Sequence, residues 1–333
     1  MDSVTFKDIQ DAHQIIKHYI KKTPVVFSEK LNKMLGHSIF FKLENTQHTG
    51  SFKFRGALYS VLKLKDNPPK SIVTYGTGNH AVALAWAASK ILDIKITAYL
   101  TDFTSDIKKK LIQEYGAKTI FTETREEAEK QALQESKKNG TILLPPSDND
   151  DVIAGAATVP LEALEQLKEE IDAIFIPIGG GSLSSGTIIT TNYVSPNTKI
   201  YGAEPESGND ALISVKNKKI HVLSKAPQTL ADGAKTQKIS ERVFKYIQKI
   251  DDIYGITEQE IEYWTAWFNH LEISTDPCEP TSSLAIAAAA RWLKAQTQQK
   301  KVLVIITGSN INDSTYKELA KSQNLDIMPD HFN

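Results

Sequence analysis

Short apolar runs, many of them β-branched, alternate with helix-length stretches along most of this chain, and that alternation constrains the fold more than any other feature. The runs fall at 39–43, 72–75, 96–100, 119–121, 142–144, 173–178, 200–203 and 302–306. Helical candidates separate them at 81–90, 106–115, 126–137, 158–169, 258–271 and 283–294. An opening helix over 6–20 precedes them, with Phe6, Ile9, Ala12, Ile15, Ile16, Tyr19 and Ile20 spaced by three and four on one face. Such alternation predicts parallel sheets covered by helices. Pro68-Pro69 and Pro145-Pro146 bracket several complete strand and helix units. They predict a small domain over 71–146 inserted into a large one made of 1–70 and 147–333. No internal repeat of fixed period is present.

Composition narrows the function. A chain of 333 residues, 41% hydrophobic, can bury a core and divide it between two lobes. Its 39 basic and 40 acidic side chains leave a net charge of -1, no surplus with which to hold nucleic acid or an anionic membrane. A single cysteine, Cys278, excludes an internal disulfide framework and reads as an inert thiol in a reducing compartment. The first 14 residues lack an apolar signal core, and no apolar run approaches the ~20 residues of a membrane span. A cytoplasmic protein is expected.

Three segments carry chemistry. In the first, Gly50-Ser51-Phe52-Lys53-Phe54-Arg55-Gly56-Ala57, a lysine follows a Thr-Gly-Ser turn where a helix can begin. Facing a pocket, such a lysine has its ammonium destabilised and becomes a nucleophilic amine; facing water, it is a solvated surface group. In the second, Gly179-Gly180-Gly181-Ser182-Leu183 follows an apolar run and leads into a helical stretch. Consecutive glycines let backbone amides converge on an anion, and the helix start adds its positive end, so a single phosphate is the natural ligand. The spacing is neither Gly-x-Gly-x-x-Gly nor a Walker loop, and the plain alternative is a tight turn. The third, Gly76-Thr77-Gly78-Asn79-His80, offers hydroxyl, amide and backbone donors at a helix start. It is suited to a carboxylate, or is simply a capped helix entry.

Together, and in the same order, these segments resemble the serine/threonine dehydratase and serine racemase family of pyridoxal-phosphate (PLP) enzymes of fold type II. Thr23-Pro24, Glu204-Pro205, Thr229-Leu-Ala-Asp-Gly233, Glu279-Pro280 and Thr307-Gly-Ser-Asn310 extend the resemblance over nearly the whole chain. It implies the tryptophan-synthase-β-like α/β fold of two lobes, each with a helix-covered and mostly parallel sheet, and a homodimer. It also implies that Lys53 carries the cofactor, with Phe52 beside the ring, Asn79 at the ring's hydroxyl, residues Gly179 to Leu183 on the phosphate and Thr307 at the ring nitrogen. Ser51, Thr77, Asn79 and His80 are the implied substrate side. Lys53 would act as nucleophile and base. Thr77, in the position of the racemase serine, would be the second catalytic group. The implied reaction dehydrates a small hydroxy-amino acid of the L-serine or L-threonine type to a 2-oxo acid and ammonium. A neutral hydroxyl at the ring nitrogen makes a weak electron sink, which favours loss of the β-hydroxyl over long-lived carbanions.

The pattern also breaks. Gly76-Thr77 stands where the family has Ser-Ser, Val82 where it has Gln, Ser182 where it has a fourth glycine, Ala156-Ala157 where it has Gln-Gly, and Ser309 where it has glycine. Glu204-Pro-Glu-Ser-Gly-Asn-Asp210 resembles the divalent-ion loop of serine racemases, with Glu204, the Gly208 carbonyl and Asp210 as ligands for magnesium or calcium. An ordinary solvated acidic loop is the alternative. The sequence ends without room for the carboxy-terminal regulatory domain of biosynthetic threonine dehydratases, so feedback of that type is not expected. Racemisation is the main competing reaction. A ligand-binding protein that kept the fold and lost the chemistry is a second alternative, opposed by the intact Lys53, Asn79 and glycine loop; β-replacement is disfavoured by the Lys53 segment and Glu279-Pro280.

Overall fold

The structure, a computed structural model, describes residues 3–271 and 273–322. The remaining residues of the expected large domain, including 323–333, lie outside the described part. Strands β1 (Val25–Phe27), β2 (Ser38–Leu43), β7 (Ala173–Pro177), β8 (Lys199–Pro205), β9 (Asp252–Ile256) and β10 (Lys301–Ile306) form one sheet in the order β1-β2-β10-β7-β8-β9. A second sheet, ordered β5-β4-β3-β6, is built from β3 (Ser71–Gly76), β4 (Lys95–Thr101), β5 (Lys118–Thr122) and β6 (Thr141–Leu143). Every pairing is parallel except β1 with β2.

The central strands announce themselves because both of their faces are covered. All of Ala173–Pro177 is buried, as is Val302 to Ile306, so these strands read as unbroken apolar runs. The two strands without such a signal, β1 and β9, lie at the sheet edges. Val25–Phe27 is only partly buried, and Asp252–Ile256 is broken by Gly255, because an edge strand has less to cover.

The helices are α1 (Phe6–Ile16), α2 (Glu29–Leu35), α3 (Lys53–Leu62), α4 (Asn79–Ala87), α5 (Asp106–Glu114), α6 (Arg125–Glu135), α7 (Asp150–Leu167), α8 (Ser182–Val194), α9 (Asp210–Asn217), α10 (Glu241–Ile247), α11 (Glu258–His270), α12 (Pro280–Lys294) and α13 (Asp313–Ser322). The opening helix stops at Ile16, short of the expected 20. Helix α7 begins eight residues before the expected 158, because the Asn149 side chain accepts the Val152 N–H at 3.0 Å and caps it, with Asp150 and Asp151 in the first turn. Among the described residues no helix is long and apolar enough to cross a membrane.

Small residues set how closely the site-bearing helices approach. A Cβ on Gly155 of α7 would lie 2.6 Å from the Gly56 Cα of α3, and a Cβ on Gly186 of α8 would lie 2.7 Å from the Ala157 Cα of α7. The family's Gln-Gly pair is thus replaced by Ala156-Ala157 at a crossing where Gly186 supplies the room. Helices α3 and α8, packed on opposite flanks of α7, bring their first turns to one cavity, which those of α4 and α12 also line. Four positive helix ends therefore converge there.

Candidate active site

The cavity lies at the carboxyl ends of β3, β7 and β10, between the two sheets, where parallel α/β folds gather ligands. Phe52, Lys53, Thr77, Asn79, His80 and Thr307 line it, together with Gly179, Gly180, Gly181, Ser182 and Leu183. The start of α3 is tied to the end of β10, since the Phe52 N–H donates to the Thr307 carbonyl (3.0 Å) and Ser51 bridges Gly308. That tie fixes Lys53.

The Lys53 ammonium donates to the Pro146 carbonyl (2.7 Å) and the Ser182 hydroxyl (3.1 Å), both neutral, and lies 4.9 Å from the Phe52 ring centre. Among the described residues no carboxylate pairs with it. Burial, and then the Arg125 charge, bring its pKa down to about 7, while part of its surface faces the cavity. His80 is held neutral, down to about 3, by burial and by Lys53, and shares a hydrogen bond of 3.2 Å with the Leu144 carbonyl. It serves as a neutral polar wall.

The glycine loop has the shape of an anion cradle. A Cβ on Gly179 would sit 2.3 Å from the Gly233 carbonyl oxygen, one on Gly180 2.4 Å from the Ser147 hydroxyl, and one on Gly181 2.3 Å from Val243. Gly181 adopts φ 86°, a left-handed conformation, and passes directly into α8, whose first turn has no side-chain cap. Ser182 is the first helical residue, so the family's glycine is dispensable at that position. An uncapped helix start behind three glycines, with a free amine 3.1 Å from its first hydroxyl, fits the phosphate and aldehyde ends of PLP.

Asn79 faces this space with both ends of its amide occupied. Its Nδ2 donates to the two Glu279 carboxylate oxygens (3.0 and 3.1 Å), and its Oδ1 accepts from Asn310 (2.8 Å). Thr307 Oγ1 lies 3.0 Å from Ser282 Oγ, a neutral hydroxyl pair. Thr77 is presented by the glycines on either side, Gly76 at φ 137° and Gly78 at φ 120°.

Two expectations change. Ser51 does not line the cavity: it is fully buried in its bridge to Gly308, and its hydroxyl has no hydrogen-bond partner, because α3 begins two residues later and turns Lys53 rather than Ser51 to the space. The acidic segment is not a solvated loop either. Glu204 is the next-to-last residue of β8, Asp210 opens α9, and both are fully buried. Glu204 accepts the Ala211 and Leu212 N–H groups (3.1 and 2.8 Å); Asp210 accepts from Thr236 (3.1 Å), while its second oxygen has no hydrogen-bond partner. Burial raises both carboxyls, Asp210 to about 7. Among the described residues no group of three or more His, Cys, Asp or Glu side chains gathers as a metal site, so an ion here would rest on two carboxylates, a carbonyl and water. Sequence reasoning passed over Tyr75, Arg125 and the role of Glu279, all of which line the cavity. Only Glu279 had a signal, as part of Glu279-Pro280.

Comparison with known proteins agrees with this geometry. The family profile "Pyridoxal-phosphate dependent enzyme" matches residues 16–308. An L-threo-3-hydroxyaspartate ammonia-lyase of Saccharomyces cerevisiae is 39% identical over 95% of this chain and 96% of its own, and a serine racemase of Schizosaccharomyces pombe is 35% identical over 94% and 96%. The structure of maize serine racemase superposes with a TM-score of 0.87, at 28% identity over 96% of this chain and 98% of that one. The chain belongs to the PLP-dependent enzymes of fold type II, in the branch that holds ammonia-lyases and serine racemases.

Proposed function

We propose that this protein is an ammonia-lyase that dehydrates small 3-hydroxy-amino acids to a 2-oxo acid and ammonium. The observation that carries the reading is the Lys53 amine, its pKa brought down to about 7 and its side chain directed at a phosphate cradle with no carboxylate beside it among the described residues. PLP, held by Lys53 and the amides of residues 179–183, supplies the electron-withdrawing ring that acidifies the substrate's Cα–H. Lys53, freed once the substrate's amine takes its place on the cofactor, would take that proton. The Cβ–O bond then breaks, hydroxide leaves as water once protonated, and hydrolysis of the unsaturated amine gives the oxo acid and ammonium. Thr307 and Ser282 offer neutral hydroxyls where a carboxylate would strengthen the sink, so departure of the hydroxyl competes well with return of the proton.

Arg125 extends the reading toward acidic substrates. It lines the cavity and, among the described residues, makes no ion pair, so its guanidinium suits a second carboxylate such as that of 3-hydroxyaspartate, with serine and threonine as neutral members of the same class. Racemisation is the second reading, favoured by Thr77 on the cavity wall. Glu204, the Gly208 carbonyl and Asp210 would hold magnesium or calcium as a structural ion, the unpartnered Asp210 oxygen being the observation that favours one. The test is a panel of single-enantiomer serine, threonine and 3-hydroxyaspartate, with oxo acid and opposite enantiomer followed in one reaction. Oxo acid is expected to form faster, and Arg125→Met to lower kcat/KM most for 3-hydroxyaspartate. Faster formation of enantiomer hands the assignment to the racemase reading.

A further inference from the structure

Lys108 belongs to α5, beside the four-stranded sheet, and is fully buried without touching the cavity. Its ammonium leaves its own lobe: it lies 2.6 Å from Asp232 and 3.8 Å from Glu279, both carried by the lobe of the six-stranded sheet. Among the described residues no other ion pair joins residues 71–143 to the rest. The path of its stem explains a glycine in the Gly78-Asn79-His80 motif. A Cβ on Gly78 would meet Lys108 Cδ at 2.8 Å and Lys108 Cβ at 3.0 Å, so the lysine crosses to the other lobe over the backbone that carries Asn79.

We infer that Lys108 is a positioning residue, an interlobe latch that keeps Glu279 a carboxylate and thereby sets the orientation of the Asn79 amide at the cofactor. Glu279 accepts from Asn79 Nδ2 with both oxygens, a geometry that suits a carboxylate, since protonation turns one of those oxygens into a hydroxyl that accepts more weakly and has a hydrogen of its own to place. Gly308 leaves that carboxylate its space, since a Cβ there would lie 2.6 Å from Glu279 Oε1. Burial holds Glu279 above the usual carboxylate range and Asp232 adds to the rise, while Lys108 is the strongest influence pulling it back down. Burial disfavours the Lys108 charge as well, but Asp232 and Glu279 outweigh it and raise its pKa. Without the lysine, buried Glu279 and part-buried Asp232 are left beside each other with no cation between them. The cheapest repair is a proton on Glu279, and one of the two acceptors of the Asn79 amide is then weakened.

The test uses the PLP-loaded protein and a double-mutant cycle of Lys108→Met and Glu279→Gln. The readouts are the visible absorption of the bound cofactor, its dissociation constant, and kcat per bound cofactor. The spectrum needs no substrate, so a wrong substrate assignment and a wrong latch fail separately. Lys108→Met is expected to move the absorption band and to lower kcat by about ten- to a hundredfold, the scale of an ångström's misplacement at a reacting centre. KM should shift far less. In the Glu279→Gln background the same change should add nothing to the spectrum or kcat, because the residue through which the lysine acts is already neutral. Should Lys108→Met alone not fold, comparison of Glu279→Gln with the double variant still decides: a further spectral shift there overturns the latch. So does a Lys108→Met protein that melts earlier while its spectrum and kcat per site stay unchanged. Lys108→Arg should recover the wild-type band.

Discussion

Lys53 and Arg55 stand two residues apart in the first turn of α3, and their surroundings drive them to opposite ends of cation chemistry. Two residues turn a helix by about 200°, so one side chain enters the cavity and the other enters the protein beneath it. Arg55 grips Glu44 with two nitrogens (2.9 and 2.7 Å) and reaches Glu162 (2.8 Å), while Lys42 joins Glu162 (2.5 Å) and the Thr23 carbonyl (2.7 Å). Two cations thus meet two carboxylates, and although burial opposes the guanidinium charge, the carboxylates outweigh it. Lys53 has only a carbonyl and a hydroxyl. A balanced buried cluster anchors the helix; an unbalanced amine above it does chemistry.

The largest expected effect lies on the unbalanced side. Lys53→Ala should retain no borohydride-trapped cofactor and should lose oxo-acid formation by a thousandfold or more, as removal of a combined nucleophile and base does. Trapping on a peptide containing any other lysine breaks the comparison. In the cofactor-free protein, reaction of Lys53 with an aldehyde should be half-maximal near pH 7. The sign for stability follows: the unfolded chain keeps that proton up to about pH 10.4 and the folded protein releases it near 7, so cofactor-free protein gains stability as pH rises through that window. Lys53→Met should flatten this component of the pH–stability curve.

Removing charge from the balanced side should cost folding energy instead. Arg55→Met leaves Lys42 alone against Glu44 and Glu162 and is expected to cost about 3–5 kcal/mol in denaturant titration, with the cofactor spectrum of the folded fraction unchanged. An unaltered midpoint would mean that the cluster is not what anchors α3.

A third arrangement, two carboxylates that make no ion pair among the described residues, is found at Glu204 and Asp210. If a divalent ion completes it, chelator should lower the melting temperature and magnesium or calcium restore it, about 2–3 kcal/mol at ion concentrations a hundred times the dissociation constant. Asp210→Ala should abolish the response. A melting curve indifferent to chelator, with no metal by elemental analysis, leaves the pair as a helix cap and a protonated acid.

The smallest expected effect concerns the cavity wall. Reprotonation of Cα from the side away from Lys53 needs a well-placed hydroxyl, and the extra methyl of Thr77 restricts its rotamers. Thr77→Ser should raise the ratio of enantiomer to oxo acid by a few fold, measured from single-enantiomer substrate. A ratio that falls would place the second proton elsewhere.

The ordering of strands and helices was legible in the amino-acid sequence because a parallel sheet covered on both faces makes its strands continuously apolar, and the chain carries that signal at β7 and β10 without interruption. Lys53, Asn79 and the glycine loop were legible too, since each belongs to a contiguous motif whose local chemistry needs its immediate neighbours. Edge strands β1 and β9 were silent because half-covered strands need no apolar run. The early start of α7 was hidden by Gly155, a residue that suggests a break in sequence and serves a helix crossing in space. What only the tertiary structure decided is which charges meet. Nothing near Lys108 in sequence marks it among 39 basic residues, and its partners Asp232 and Glu279 are more than a hundred positions away. The energy of a buried charge depends on what the fold brings within a few ångströms of it, a quantity that has no local trace in the chain.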